Sequence, residues 1–160
     1  YDWKDTELTL QKQEIVPWLE EVLEEQRRKI SAHLQHQYLV DHHLVASFEP
    51  SQLGRAISNL IQNASRYGNG LVKVTLEQSG EELLIHVDDD GLGIPEADRE
   101  RIFEPFARLD SSRSRDSGGY GLGLAIVKRV LDSHHGHVTI ATSPLGGSRF
   151  TISWPVRRIE

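Results

Sequence analysis

The chain has no cysteine and no methionine among its 160 residues. Without cysteine there is no disulfide, no thiolate nucleophile and no zinc–thiolate site, and the redox compartment is left open. Without methionine, even at position 1, the sequence reads as an excised piece of a longer protein. No apolar run approaches the roughly 18 residues that span a bilayer, and the opening Tyr1-Asp2-Trp3-Lys4 is not a secretory leader. Positive charge is scarce too. The 18 Lys and Arg against 24 Asp and Glu leave a formal net charge of -6. Such a field repels nucleic acid and anionic membrane, so neither is an expected partner. An anionic ligand must therefore be met by a local concentration of cations. Two phosphate-binding motifs are also missing: G-x-x-x-x-G-K-[ST], and the G-x-G-x-x-G fingerprint that follows a strand.

What is present suits one well-packed domain, with 38% hydrophobic and 26% charged residues. Glu7 to Leu10 alternates like a short edge strand. Pro17 to about Leu34 carries Trp18, Leu19, Val22, Leu23 and Ile30 on one helical stripe, with Pro17 in the first turn. Tyr38–Val40 and Leu44–Phe48 read as strands. Pro50–Tyr67 reads as a second helix, stopped by Gly68-Asn69-Gly70. Leu71–Gln78 and Glu82–Asp88 flank Ser79-Gly80-Glu81 as a hairpin. A short helical turn is expected near Glu96 to Ile102. From Asp110 to Gly119 there is no apolar side chain, which reads as a lid or a disordered loop. A third helix is predicted from about Gly121 to His134, followed by strands His137–Thr142 and Ser148–Pro155. Helices falling between groups of antiparallel strands predict a two-layer α/β sandwich, a mixed and largely antiparallel sheet on about three helices.

Three segments carry chemistry. On the second helix Leu53, Ala56, Ile57, Leu60, Ile61 and Ala64 share one side, while Asn59, Asn63 and Arg66 cluster on another at helical-neighbour spacings. Carboxamide oxygens suit a hard cation and the guanidinium a phosphate; the bland reading is a solvated polar face. Next, Asp88-Asp89-Asp90-Gly91-Leu92-Gly93-Ile94 closes a strand. An ionised Asp only accepts hydrogen bonds and so suits a ligand amine such as that of adenine, while glycines let backbone approach a flat ring. An ordinary acidic turn is the alternative; an EF-hand calcium loop lacks its closing Glu. Last, Gly118-Gly119-Tyr120-Gly121-Leu122-Gly123-Leu124 turns a polar loop into an apolar helix. Free N–H groups and the helix dipole there form an anion site, or else simply a flexible helix cap. Together the three are complementary parts of one nucleotide site, and Arg108, Arg113 and Arg115 could offset phosphate charge.

These segments resemble the boxes of sensor histidine kinases, within the GHKL group of ATP-binding proteins. Asn59–Tyr67 is similar to the N box, Asp89-Asp90-Gly91-Leu92-Gly93 to the first glycine box and Phe103-Glu104-Pro105-Phe106 to the F box. Gly119–Leu124 is similar to the second glycine box, and Gly146-Gly147-Ser148-Arg149-Phe150 to the closing glycine turn. The resemblance covers about residues 50 to 155; the first fifty share only a strand, helix, strand outline. It implies the ATP-binding catalytic domain, with ATP and Mg²⁺ as ligands. Asn59, Asn63 and Arg66 are the implied catalytic set, with Asn63 on Mg²⁺ and Arg66, often Lys in the family, on phosphate. Tyr67 would lie against the nucleotide and Asp89 would accept from the adenine amino group. Gly91, Gly93, Ile94, Arg108, Arg115, Gly119, Gly121, Leu122, Gly123, Leu124 and Ser148 complete the implied contacts. Phe103 and Phe106 would anchor the lid, though both also read as plain core aromatics.

The resemblance further implies transfer of the γ-phosphoryl group to a histidine on a separate dimerisation domain, then to a response regulator. No histidine here has the acceptor context. His33, His36, His42, His43, His134, His135 and His137 are expected to be solvated surface residues rather than metal ligands. By family habit the domain alone is a monomer, the intact protein a homodimer, and the setting cytoplasmic, where ATP is. Two rivals stand beside the kinase. One is a GHKL ATPase, which usually has Glu where Asn59 stands. The other is a nucleotide-binding interaction module without catalysis.

Overall fold

Apolar residues at every second position on either side of Gly80 fold as the predicted hairpin. In the computed structural model, which describes residues 9–105 and 123–157, strands β4 (Leu71–Ser79) and β5 (Glu82–Asp89) pair antiparallel. Val72, Val74 and Leu76 face the same side as Leu83, Ile85 and Val87, and all six are buried. Strand β7 (Ser148–Pro155) adds Phe150, Ile152 and Trp154 to that face and pairs with β5 and β6 (His137–Thr142). Strand β2 (His33–Tyr38) completes the sheet by running parallel to β4, giving the order β2-β4-β5-β7-β6. A separate two-stranded sheet joins β1 (Gln11–Glu14) to β3 (Val45–Phe48). It is pinned to β7 where Trp154 Nε1 donates to the Ser47 carbonyl.

Helices α1 (Ile15–Lys29), α2 (Pro50–Tyr67) and α3 (Gly123–Ser133) cover one face of the sheet, with two 3₁₀ turns at Glu96–Asp98 and Arg101–Phe103. The predicted stripe of α2, Leu53 through Ala64, is buried in full. Each fully buried Leu or Ile there contributes about 1.5–3 kcal/mol, which outweighs the modest propensity of Ser58, Asn59 and Ser65 for helix. The start of α2 is fixed from outside. The Glu49 carboxylate accepts from the Gln52 N–H, Pro50 occupies the first turn, and the Glu49 N–H donates to His134 Nε2.

Two-layer architecture, mixed sheet and three helices agree with the sequence reading, and the strands after Gly136 begin and end as predicted. Three expectations are corrected. The first strand is Gln11–Glu14, so Thr9 and Leu10 lie outside it. Helix α1 stops at Lys29, and the strand expected at Tyr38–Val40 is instead His33–Tyr38, with Leu39 and Val40 outside it. Leu34 falls four residues after Ile30, so the apolar stripe continues as well in a helix as in a strand; parallel pairing with β4 decides it. Finally, His134 is not a solvated surface residue. It is 3% exposed, accepts from the Glu49 N–H, and its Nδ1 donates to the Val130 carbonyl. The polar stretch from Asp110 to Gly119 lies outside the described residues.

Candidate functional site

Three consecutive carboxylates end β5, and the fold gives each a different task. Strand alternation sends Asp88 to the sheet face away from the helices and Asp89 toward them. Asp88, 2% exposed, takes a two-pronged pair from its cross-strand neighbour: Arg149 Nε to Oδ1 at 2.8 Å and Nη2 to Oδ2 at 3.0 Å. Asp90 Oδ1 accepts from the N–H groups of Asn69 and Leu71, tying down the α2–β4 loop and holding its own carboxyl below the usual range.

Asp89 differs from both. It is 4% exposed, and Oδ1 accepts from the Gly91 N–H at 2.9 Å and the Ser148 N–H at 3.2 Å. Both bonds fall on one oxygen, so neither occupies Oδ2. No cation is among these partners. Burial therefore pushes the Asp89 carboxyl up, against the lowering effect of the two N–H groups, with Asp90 and Asp88 adding repulsion. Two glycines permit the approach. A Cβ at Gly147 would sit 2.1 Å from Asp89 Oδ1, and one at Gly91 would sit 2.2 Å from the Tyr67 carbonyl oxygen. The second contact joins this pocket to the end of α2. Ile94 is buried beside it, and Gly93 turns at φ +80°.

Along α2 the predicted polar stripe lines a cavity of about 610 Å³. Asn59, Asn63 and Arg66 are all on its wall, joined by Gln62 and Ser65. Asn59 Nδ2 donates to the Gly123 carbonyl at 3.3 Å, which sets the start of α3 against this stripe. The Arg66 guanidinium lies 5.9 Å from the centre of the Tyr67 ring. On the far side stand Lys29, Ile30 and Ser31, from the turn between α1 and β2. Among the described lining residues there is no carboxylate, and the charged ones are Lys29 and Arg66. The wall therefore suits an anion. Asn63 offers a carboxamide oxygen of the kind Mg²⁺ accepts, but a cation there would need anion oxygens as further ligands. Among the described residues no group of three or more His, Cys, Asp or Glu is placed to hold a metal.

The structure thus brings Asn59, Asn63, Arg66 and Gly123 together, and links Tyr67 to Asp89, Gly91 and Ser148. Leu124 is buried, so only its backbone faces away from the core. Phe103 packs edge-to-face on Phe150 at 6.3 Å, as a core aromatic does. Arg108, Arg113, Arg115, Phe106, Gly119, Gly121 and Leu122 lie outside the described residues. The sequence reading missed Gln62 and Ser65, though Gln62 sits three residues from Asn59 on the same helix and could have been found. It also missed Lys29 and Ser31, for which no local signal exists, because only the packing of α1 on α2 brings them in.

The two-layer sandwich that carries this site has the fold of histidine-kinase catalytic domains. Solved structures agree. The mycobacterial sensor histidine kinase MprB superposes with a TM-score of 0.77 at 28% identity, covering 93% of this chain and 100% of that one. The nucleotide-free catalytic domain of histidine kinase ThkA gives 0.78 at 24% identity, covering 94% and 100%, a likeness of fold. The chain belongs to the histidine kinase-, DNA gyrase B- and HSP90-like ATPase family, whose model matches residues 48–158. Among curated relatives, sensor protein RstB of Escherichia coli (strain K12) is 47% identical over 111 residues, covering 69% of this chain and 26% of that protein. Sensor histidine kinase CpxA of the same strain is 45% identical over 107 residues, covering 67% and 23%. The chain spans about a quarter of the length of these relatives. Among the described residues no helix is long and apolar enough to cross a membrane.

Proposed function

We propose that this domain binds Mg-ATP and delivers its γ-phosphoryl group to a histidine on a separate helical dimerisation domain, from which a response regulator takes it. Asp89 carries the reading. A buried carboxylate held by two backbone N–H groups, with Oδ2 left over, accepts from the adenine amino group. Ile94 and Tyr67 offer apolar surface to the ring, and the Ser148 N–H acts by fixing Asp89. The phosphates then follow α2 past Arg66 and Asn63 toward Asn59 and the start of α3. The resemblance gives the backbone N–H groups of Gly121, Leu122 and Gly123 the task of receiving them. Asn63 would hold Mg²⁺, which would offset the negative charge of the phosphates.

An imidazole is already a competent nucleophile, so the domain's task is positioning and charge stabilisation rather than activation. In the transfer the nitrogen–phosphorus bond forms as the bond to the bridging oxygen of ADP breaks. Water activation fits less well. Asn59 donates its amide to the Gly123 carbonyl and has no carboxylate with which to take a proton. In the intact protein we place this domain in the cytoplasm, as part of a homodimer.

The direct test supplies Mg-ATP and the histidine-bearing helices in trans and assays for acid-labile, base-stable phosphate. Phosphohistidine that needs Asn63 supports the reading. Phosphate release into solution without transfer would assign the chain to the hydrolytic branch, and nucleotide binding with neither reaction would make it an interaction module.

A further inference from the structure

We propose that Lys29 meets the outermost phosphate of the bound nucleotide and so makes this site prefer a triphosphate to a diphosphate. The inference rests on the reading of this site as an ATP site, and names a residue that no box motif contains. Lys29 ends α1, and with Ile30 and Ser31 it forms the wall of the 610 Å³ cavity opposite Asn59, Asn63 and Arg66. In a chain of net charge -6, both charged residues described on that wall are cations. The turn is held in place from below. Its Ala32 N–H points to Ser65 Oγ at 3.4 Å, and Gln26, buried at 1% exposure, accepts from Gln62 Nε2.

Lys29 is free to respond to a ligand. Its ammonium lies 3.0 Å from Glu25 Oε1, with the two side chains 55% and 56% exposed. An exposed pair one helical turn apart contributes little, so a phosphate displaces it at small cost. Its neighbours in the last turn do other work. Arg27 is committed to Glu24, His36 and the Leu34 carbonyl, and Arg28 is exposed and not part of the cavity wall. Position selects the outermost phosphate. The base is anchored at Asp89 by the end of α2, so phosphates that run along α2 toward Asn59 end in the cavity on whose wall the 55% exposed Lys29 stands. A compact ammonium on a flexible stem suits such a rim contact.

Calorimetric titration of this chain with a non-hydrolysable ATP analogue and with ADP, both with Mg²⁺, tests the proposal. Lys29→Gln is expected to weaken the triphosphate by about 5- to 10-fold and ADP by less than about 2-fold, and Lys29→Arg to recover most of the loss. Arg28→Gln removes an equal charge from the same helix end and is expected to change neither. Equal losses for both nucleotides, or no loss with the triphosphate, would overturn the role of Lys29 while leaving the ATP site intact. A folded parent that binds neither nucleotide would overturn both. Melting temperature, read on every variant, guards against misfolding, and a loss at Arg28→Gln equal to that at Lys29→Gln would reassign the effect to the helix end.

Discussion

Asp88 and Asp89 are adjacent, equally buried and chemically identical, yet the sheet puts them to opposite uses. Asp88 faces away from the helices, and both its oxygens are held by Arg149. Asp89 faces the helices, has no cation partner among the described residues, and uses one oxygen to accept two backbone N–H groups. The first is a structural charge, satisfied by its own fold. The second is held in place but left incomplete, and burial makes its ionised form costly. An incompletely satisfied buried carboxylate is the better candidate for ligand recognition.

This contrast yields predictions of decreasing size. Arg149→Ala should strand the Asp88 charge and lower stability by about 2–3 kcal/mol in urea unfolding, less than for a fully buried pair because Arg149 is 30% exposed. Its nucleotide affinity should stay within about 2-fold. Gly147→Ala should cost about 1–3 kcal/mol, since its Cβ meets Asp89 Oδ1, and here affinity should fall along with stability. Stability should also fall as pH drops from 7.5 to 5.5. Burial holds His134 below the usual 6.5, so the unfolded chain takes up a proton that the folded chain refuses. The loss grows toward the acid end, and His134→Gln should flatten it in melting curves.

Asp89 has the opposite sign for stability. With its carboxyl raised, its favourable contribution is complete below the ordinary 3.8 and is lost as pH rises through the folded value, so ionised Asp89 is a net cost at neutral pH. Binding needs that ionised form. As pH is lowered, ATP affinity should therefore begin to fall while still above the ordinary carboxylate range, and Asp89→Asn should lack that limb in a titration series.

Much of this was legible in the sequence, and the exceptions share a cause. Helix α2, the hairpin and the last two strands follow from local periodicity and turn residues, so their limits fall close to expectation. The polar stripe Asn59, Asn63, Arg66 was visible for the same reason. The end of α1 was not, because Leu34 fits a helical and a strand pattern equally and only pairing with β4 separates them. His134, Arg149 and Lys29 take their roles from partners 85, 61 and more than 20 residues away. Nor could the sequence say which of three neighbouring aspartates would be buried without a cation among its described partners. That depended on which face of β5 each one occupied and on what β7 placed opposite.

The most direct measurement is calorimetric titration of Mg-ATP into the parent, Asp89→Asn and Asp88→Asn, with melting curves on all three. The account predicts that Asp89→Asn loses roughly 10- to 150-fold in affinity, as one charged hydrogen bond is worth, while melting no lower than the parent. Asp88→Asn should melt lower and keep its affinity within about 2-fold. If Asp89→Asn binds as the parent does, or if the two variants lose affinity equally, Asp89 is not the base-recognising carboxylate and the account fails.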